Sequence, residues 1–181
     1  QLPTYTIMGY KDQNGILVNR DKLDYIRNAQ FVGGVTYLSS FNTKFSVEGF
    51  YKLYDRYPLL IDKGISFANE GGFFGIVGDE PASSTSRGKA YGIELMAYQK
   101  LYKGLYGIMS YTYFRSLFTD VNGDYRSASW DNRHILNIAL GYKFKKNWEI
   151  GARYRCNGGV PFTPYDLTTS SLKVYWDNRQ E

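Results

Sequence analysis

Along most of the chain, apolar and polar residues alternate with a period of two, the pattern of strands whose faces meet different surroundings. Over residues 43–55 one face reads Phe45, Val47, Gly49, Tyr51, Leu53 and the other Lys44, Ser46, Glu48, Phe50, Lys52, Tyr54. Residues 29–38 repeat it more weakly, with Phe31, Val35 and Tyr37 on one side. Residues 90–101 set Tyr91, Ile93, Leu95 and Ala97 against Glu94, Tyr98 and Lys100. Residues 105–114 set Leu105, Met109, Tyr111 and Tyr113 against Ser110 and Thr112. Residues 134–144 carry Leu136, Ile138, Leu140, Tyr142 and Phe144 on one face, and residues 148–156 carry Trp148, Ile150, Ala152 and Tyr154 opposite Glu149, Arg153 and Arg155. These are six strands of about ten residues, longer than the usual ~5–6.

The connections alternate in length. Short turns are predicted at 40–42, 102–104 and 145–147, and long connections at 56–89, at 117–130 and after 157. That wiring makes an antiparallel meander of about 6–8 strands, with tight turns at one end and long loops at the other, as in outer-membrane barrels. Strands of this length also match the ~9–11 residues that a tilted strand needs to cross the hydrocarbon. The N-terminal residues 2–24 hold an Asn14-Gly15 hairpin signal, read as a strand pair in a loop or as an earlier barrel strand.

Alternation alone does not say which face points outward, since a soluble barrel keeps its apolar face inside. Two features favour apolar-out. The apolar faces carry rings at their ends and small or aliphatic residues between, as in Trp148, Ile150, Ala152, Tyr154, which suits aromatic girdles at two water interfaces. The opposite faces carry Lys44, Glu48, Lys52, Glu94, Lys100, Glu149, Arg153 and Arg155, a mixed-charge set suited to a wet lumen, where a cross-strand charge ladder is expected.

Composition narrows the classes. Of 181 residues, 18 are Tyr, 11 Phe and 19 Gly, with aromatics at 18%, which excludes disorder and argues against a Leu/Ala-rich bundle. No apolar run approaches the ~18 residues of a membrane-spanning helix. One Cys (Cys156) and one His (His134) exclude an internal disulfide and make a His- or Cys-based metal site a poor reading. The net charge of +5 is spread along the chain, which argues against nucleic acid as a partner. No cofactor motif is found. Ser83, Ser84 and Ser86 lack acid–base partners, and the expectation is no enzyme.

Candidate rim and loop residues are Phe73 and Phe74 in a glycine-rich stretch, and the cluster Trp130, Asp131, Asn132, Arg133, His134, read as a polar latch at the barrel mouth with Arg133 pairing across strands. Asp120-x-Asn122-x-Asp124 opens like a calcium loop, but Gly123 is misplaced and no Glu closes it, so an exposed Asn-Gly turn is the simpler reading.

Four segments then carry a resemblance. Arg87-Gly88-Lys89-Ala90-Tyr91-Gly92-Ile93-Glu94-Leu95 resembles the GxAYGxEL strand start of TonB-dependent outer-membrane receptors. LYGIMSYTYFRS at 105–116 is similar to their SYTYSRS strand, and Ser129-Trp130-Asp131-Asn132-Arg133-His134 to their DxRH lead into the next strand. GGVPFTPYD at 158–166 resembles the loop after a basic strand. The four stand in the family's order and spacing. The resemblance implies a Gram-negative outer-membrane transporter with a large plugged barrel of about 22 strands. It also implies a TonB energy-coupling partner engaged through an N-terminal box, contact with outer-membrane lipid, and a small ligand such as a metal chelate, vitamin, glycan or peptide. Neither a plug nor a TonB box is visible, and the sequence stops at Gln180-Glu181 in a polar stretch. Residues 1–181 are therefore expected to form one unit, an open segment from the C-terminal part of such a barrel. The alternatives carried are a small porin- or adhesin-type barrel and a soluble ligand-binding barrel.

Overall fold

The computed structural model describes residues 1–71, 77–145, 147–161 and 171. The chain is an open antiparallel meander. Its main strands are β1 (Arg27–Leu38), β2 (Thr43–Leu60), β4 (Ala82–Tyr102), β5 (Leu105–Thr119), β7 (His134–Lys143) and β8 (Glu149–Asn157), side by side in that order. Two short strands, β3 (Ile65–Ser66) and β6 (Tyr125–Ser127), extend β2 and β5 at one end, giving an eight-stranded sheet. β1 and β8 are its two edges.

The turns at one end are tight because residues there accept the left-handed backbone: Asn42 (φ 59°), Lys103 (φ 50°) and Gly104 (φ 92°), and Asn147 (φ 63°). The opposite end carries residues 61–71, 77–81 and 120–133 together with the N-terminal residues 1–26. The register joins the separate alternations into continuous faces. Val35, Val47, Leu95, Tyr111, Leu136 and Cys156 form one cross-strand row. Thr36, Ser46, Met96, Ser110, Asn137 and Arg155 form a row of the other face.

The strands run further than the alternation predicts. β2 continues past 55 to Leu60, β4 starts at Ala82 rather than 90, and β5 reaches Thr119 rather than 114. The reason is a bulge. Arg56 has φ 57°, and the β2–β4 register shifts between Tyr54 and Tyr57. The extra residue puts Tyr54 and Tyr57 on the same face and breaks the period of two where the strand does not end. The N-terminal stretch also differs from expectation. Tyr5–Met8 is a single helical turn, and the Asn14-Gly15 signal makes only one isolated bridge, Lys11 to Leu17, closed by Asp12 Oδ1 accepting from the N–H groups of Asn14 and Ile16.

Among the described residues, buried hydrophobic side chains cluster at the loop end. One cluster is Ile7, Leu60 and Ala82, with Leu23, Ile65 and Phe67 packed on it; the other is Ala68, Phe118 and Ala128, with Tyr54 and Tyr57. Asn19, fully buried, fastens this cap: its Nδ2 donates to the carbonyls of Ile7 and Glu80, and its Oδ1 accepts from Ala82 N–H, all at 2.9 Å. A buried amide so completely satisfied ties three segments together without a desolvation penalty.

Candidate functional site

The sheet below the cap has no covered face. The apolar side chains Phe45, Val47, Tyr51 and Leu53 of β2 are exposed, while Lys44, Ser46, Phe50, Lys52 and Tyr54 on the opposite face are half-buried. Val47, Ile93 and Ile150 stand at 50%, 50% and 63% exposure. On β2 the polar face is thus the more enclosed, whereas Glu48, Glu94, Lys100, Glu149, Arg153 and Arg155 of that face stand exposed, as do both faces of β1 and β8.

All eight charged residues predicted for the lumen lie on the polar face: Lys44, Glu48, Lys52, Glu94, Lys100, Glu149, Arg153 and Arg155. They do not form the expected ladder. Glu48 sits directly opposite Glu94, a like-charge pair. Among the described residues no ion pair involves any of the eight; Glu149 instead accepts from the Tyr106 hydroxyl.

The rim cluster is a latch, built differently from the prediction. Asp131 is the buried member: Oδ1 accepts from Ser116 N–H (3.0 Å) and Oδ2 from Arg115 Nε (3.1 Å). Arg115, rather than Arg133, supplies the cation, because Arg133 sits at a left-handed turn (φ 64°) with its side chain exposed. His134 begins β7 on the apolar face, opposite Tyr113; its Nδ1 is 2.8 Å from the Tyr111 hydroxyl, and its ring lies 5.2 Å from that of Tyr113. Phe73 and Phe74 lie outside the described residues.

Asp120-x-Asn122-x-Asp124 folds onto itself. Asp120 Oδ1 accepts from the N–H groups of Asn122 and Asp124, and Oδ2 from Arg126 Nε at 2.7 Å. Both carboxylate oxygens serve the turn. The Arg126 hydrogen bond, aided by those N–H groups, holds the Asp120 carboxyl below the usual carboxylate range against the opposing effect of burial. Nearby, Lys63 reaches Glu70, Asp79 and Glu80 and closes the base of the 61–81 loop.

A hollow on the polar face was not singled out from sequence. β4 presents Gly88, Ala90 and Gly92 there, in register with Tyr54, Lys52 and Phe50 of β2 and with Phe118, Ser116 and Phe114 of β5. Ala90, with Lys52 and Ser116 beside it, floors the hollow, while the flanking glycines are covered: a Cβ at Gly88 would meet the Phe118 ring at 2.3 Å, and one at Gly92 would meet the Tyr113 carbonyl oxygen at 2.3 Å, Phe114 Cβ at 2.8 Å and the Phe50 ring at 2.9 Å. The glycines are therefore required by close approach of neighbouring backbone and side chains. Tyr57, Phe67 and Trp130 wall the upper end, and residues 1–4 close one side, enclosing about 320 Å³. That is the low end of small-molecule pocket sizes. The signal in sequence was small residues at i, i+2 and i+4 on the polar face of a strand whose neighbours place rings at the same level.

Comparison of the chain with protein-family models, with curated proteins and with solved structures finds no match.

Proposed function

We propose that this chain is part of the wall of a large outer-membrane β-barrel, in a TonB-dependent active transporter. The observation that carries the reading is the single apolar face that runs in register across six strands and is left uncovered, with every predicted lumen charge on the other side. A contiguous apolar surface of this extent is unfavourable in water and favourable against acyl chains. Tyr51 and Tyr91 stack near its loop end, and Tyr142, Phe144 and Trp148 lie near its turn end, as interfacial rings do. The open sheet, with β1 and β8 as edges, favours a segment of a wide barrel over a small closed one.

On this reading the apolar face contacts outer-membrane lipid, the polar face lines the channel, and the cap is extracellular. The cap takes part in ligand capture, and passage is driven by the energy-coupling protein, without covalent chemistry. The resemblance of residues 87–95, 105–116 and 129–134 supplies the transporter class. Membrane fractionation tests the first part: the protein is expected in the detergent-extractable outer-membrane fraction, and recovery of folded protein without detergent would contradict it. The coding sequence around the chain tests the second. A plug and TonB box upstream are expected, and a short gene ending in one small closed barrel would contradict it.

A further inference from the structure

We infer that the hollow over Ala90, beside Lys52 and Ser116, is a binding site for a small amphiphilic anion, an apolar ring-bearing body with a single negative group. The inference rests on the reading of the polar face as the water-filled side of a channel wall, and it names the ligand class that this wall would take. The lining is aromatic and apolar over most of its surface, and Lys52 is its one charged side chain. No carboxylate lines it, and among the described residues Lys52 has no acidic partner.

The position of that cation sets the polarity of the guest. Lys52 stands in the middle row of the hollow, between Gln30 and Ala90, with its Nζ 5.3 Å from the centre of the Phe50 ring. A half-buried ammonium among rings attracts an anion more strongly than one in open water, because the surroundings screen it less. Phe50 and Tyr54 of β2 and Phe114 and Phe118 of β5 line the hollow and offer ring surface to an apolar body. A cationic guest would meet Lys52 with nothing to offset the repulsion.

The test uses the protein in detergent micelles and three probes of one shape: naphthoate, its neutral methyl ester, and naphthylmethylammonium. Binding is read by titration calorimetry. Naphthoate is expected to bind saturably, about tenfold or more tighter than the ester or the ammonium. Lys52→Met should bring naphthoate down to the level of the ester. Ala90→Leu, which fills the hollow, should abolish saturable binding of naphthoate. Equal affinity for the three probes, no saturable binding, or naphthoate binding unchanged in Lys52→Met would overturn the inference. Lys52→Met keeps the test decisive should Ala90→Leu fail to fold. Liposome insertion of the same preparation separates the two levels: protein that inserts but fails these criteria loses the site and keeps the wall, and protein that folds in plain buffer loses the wall.

Discussion

At the loop end of the molecule Ile7, Leu60, Ala68 and Phe118 are sealed from solvent, whereas a short way down the same strands Val47, Ile93 and Leu95 stand in the open. The cap follows the rule of water-soluble domains. Its apolar groups are inside, and of its buried polar groups Asn19, Asp120 and Asp131 are each satisfied by several hydrogen bonds, while Glu80 Oε1 has only the Lys63 ammonium at 3.7 Å. The wall inverts the rule. Its apolar groups stand exposed on one face, and its eight predicted lumen charges share the other face without ion pairs among the described residues. Along β2, β4 and β5 one chain thus treats apolar side chains in two opposite ways, which is what the proposed membrane wall requires. The change falls near the Arg56 bulge, where the alternation slips and the rings of Tyr54 and Tyr57 turn together onto Phe118, at centroid distances of 5.5 and 4.6 Å.

Three changes would break or sharpen this contrast. The largest effect is expected in the cap. Phe118→Ala removes a ring that is 1% exposed and touches Tyr54, Tyr57 and Trp130. It should destabilise the cap by about 3–5 kcal/mol, read as early loss of Trp130 fluorescence change in denaturant while strand content persists. An unchanged midpoint would mean the cap has no core. Next is Val47→Arg on the apolar face. If that face meets acyl chains, the substitution should cost about 2–4 kcal/mol in folding into bilayers, while Val47→Ala, which leaves no cavity among neighbours, should cost far less. A neutral Val47→Arg would place the face in water. The smallest effect concerns pH. The Asp120 carboxyl is held low by Arg126, so its contribution to the 120–126 turn is complete above the ordinary carboxylate range and is lost as pH falls through the lowered value. Asp120→Asn keeps an acceptor for the turn and removes the charge; protection of the Asp124 amide against exchange, relative to its intrinsic rate, falls on acidification in the parent and should no longer do so in the variant.

The alternating sheet was legible from sequence because each residue there belongs to one of two faces, and period two records that choice directly. The cap was not. Its order depends on contacts distant in the chain, such as Asn19 with Glu80 and Ala82, and Ala68 with Ser129, and no spacing announces these. The latch was half legible: Asp131 stood out, but its partner Arg115 lies in a strand that looked finished at 114, and exposed Arg133 was the nearer cation. The hollow was visible only as glycines and an alanine in the 87–95 motif, since their meaning comes from rings two strands apart. The Glu48–Glu94 juxtaposition likewise depends on register, which composition does not contain.

The most direct measurement of the central claim is site-resolved quenching in liposomes. Cys156 is replaced by Ala, and single cysteines carrying a fluorophore are placed at Val47, Ile93 and Ile150 and, separately, at Glu48, Glu94 and Arg153. The account predicts that the first three labels are quenched by brominated lipid and protected from aqueous iodide, and that the second three behave in the reverse way. Iodide quenching of the first set with lipid quenching of the second, or equal response of both sets, would contradict it.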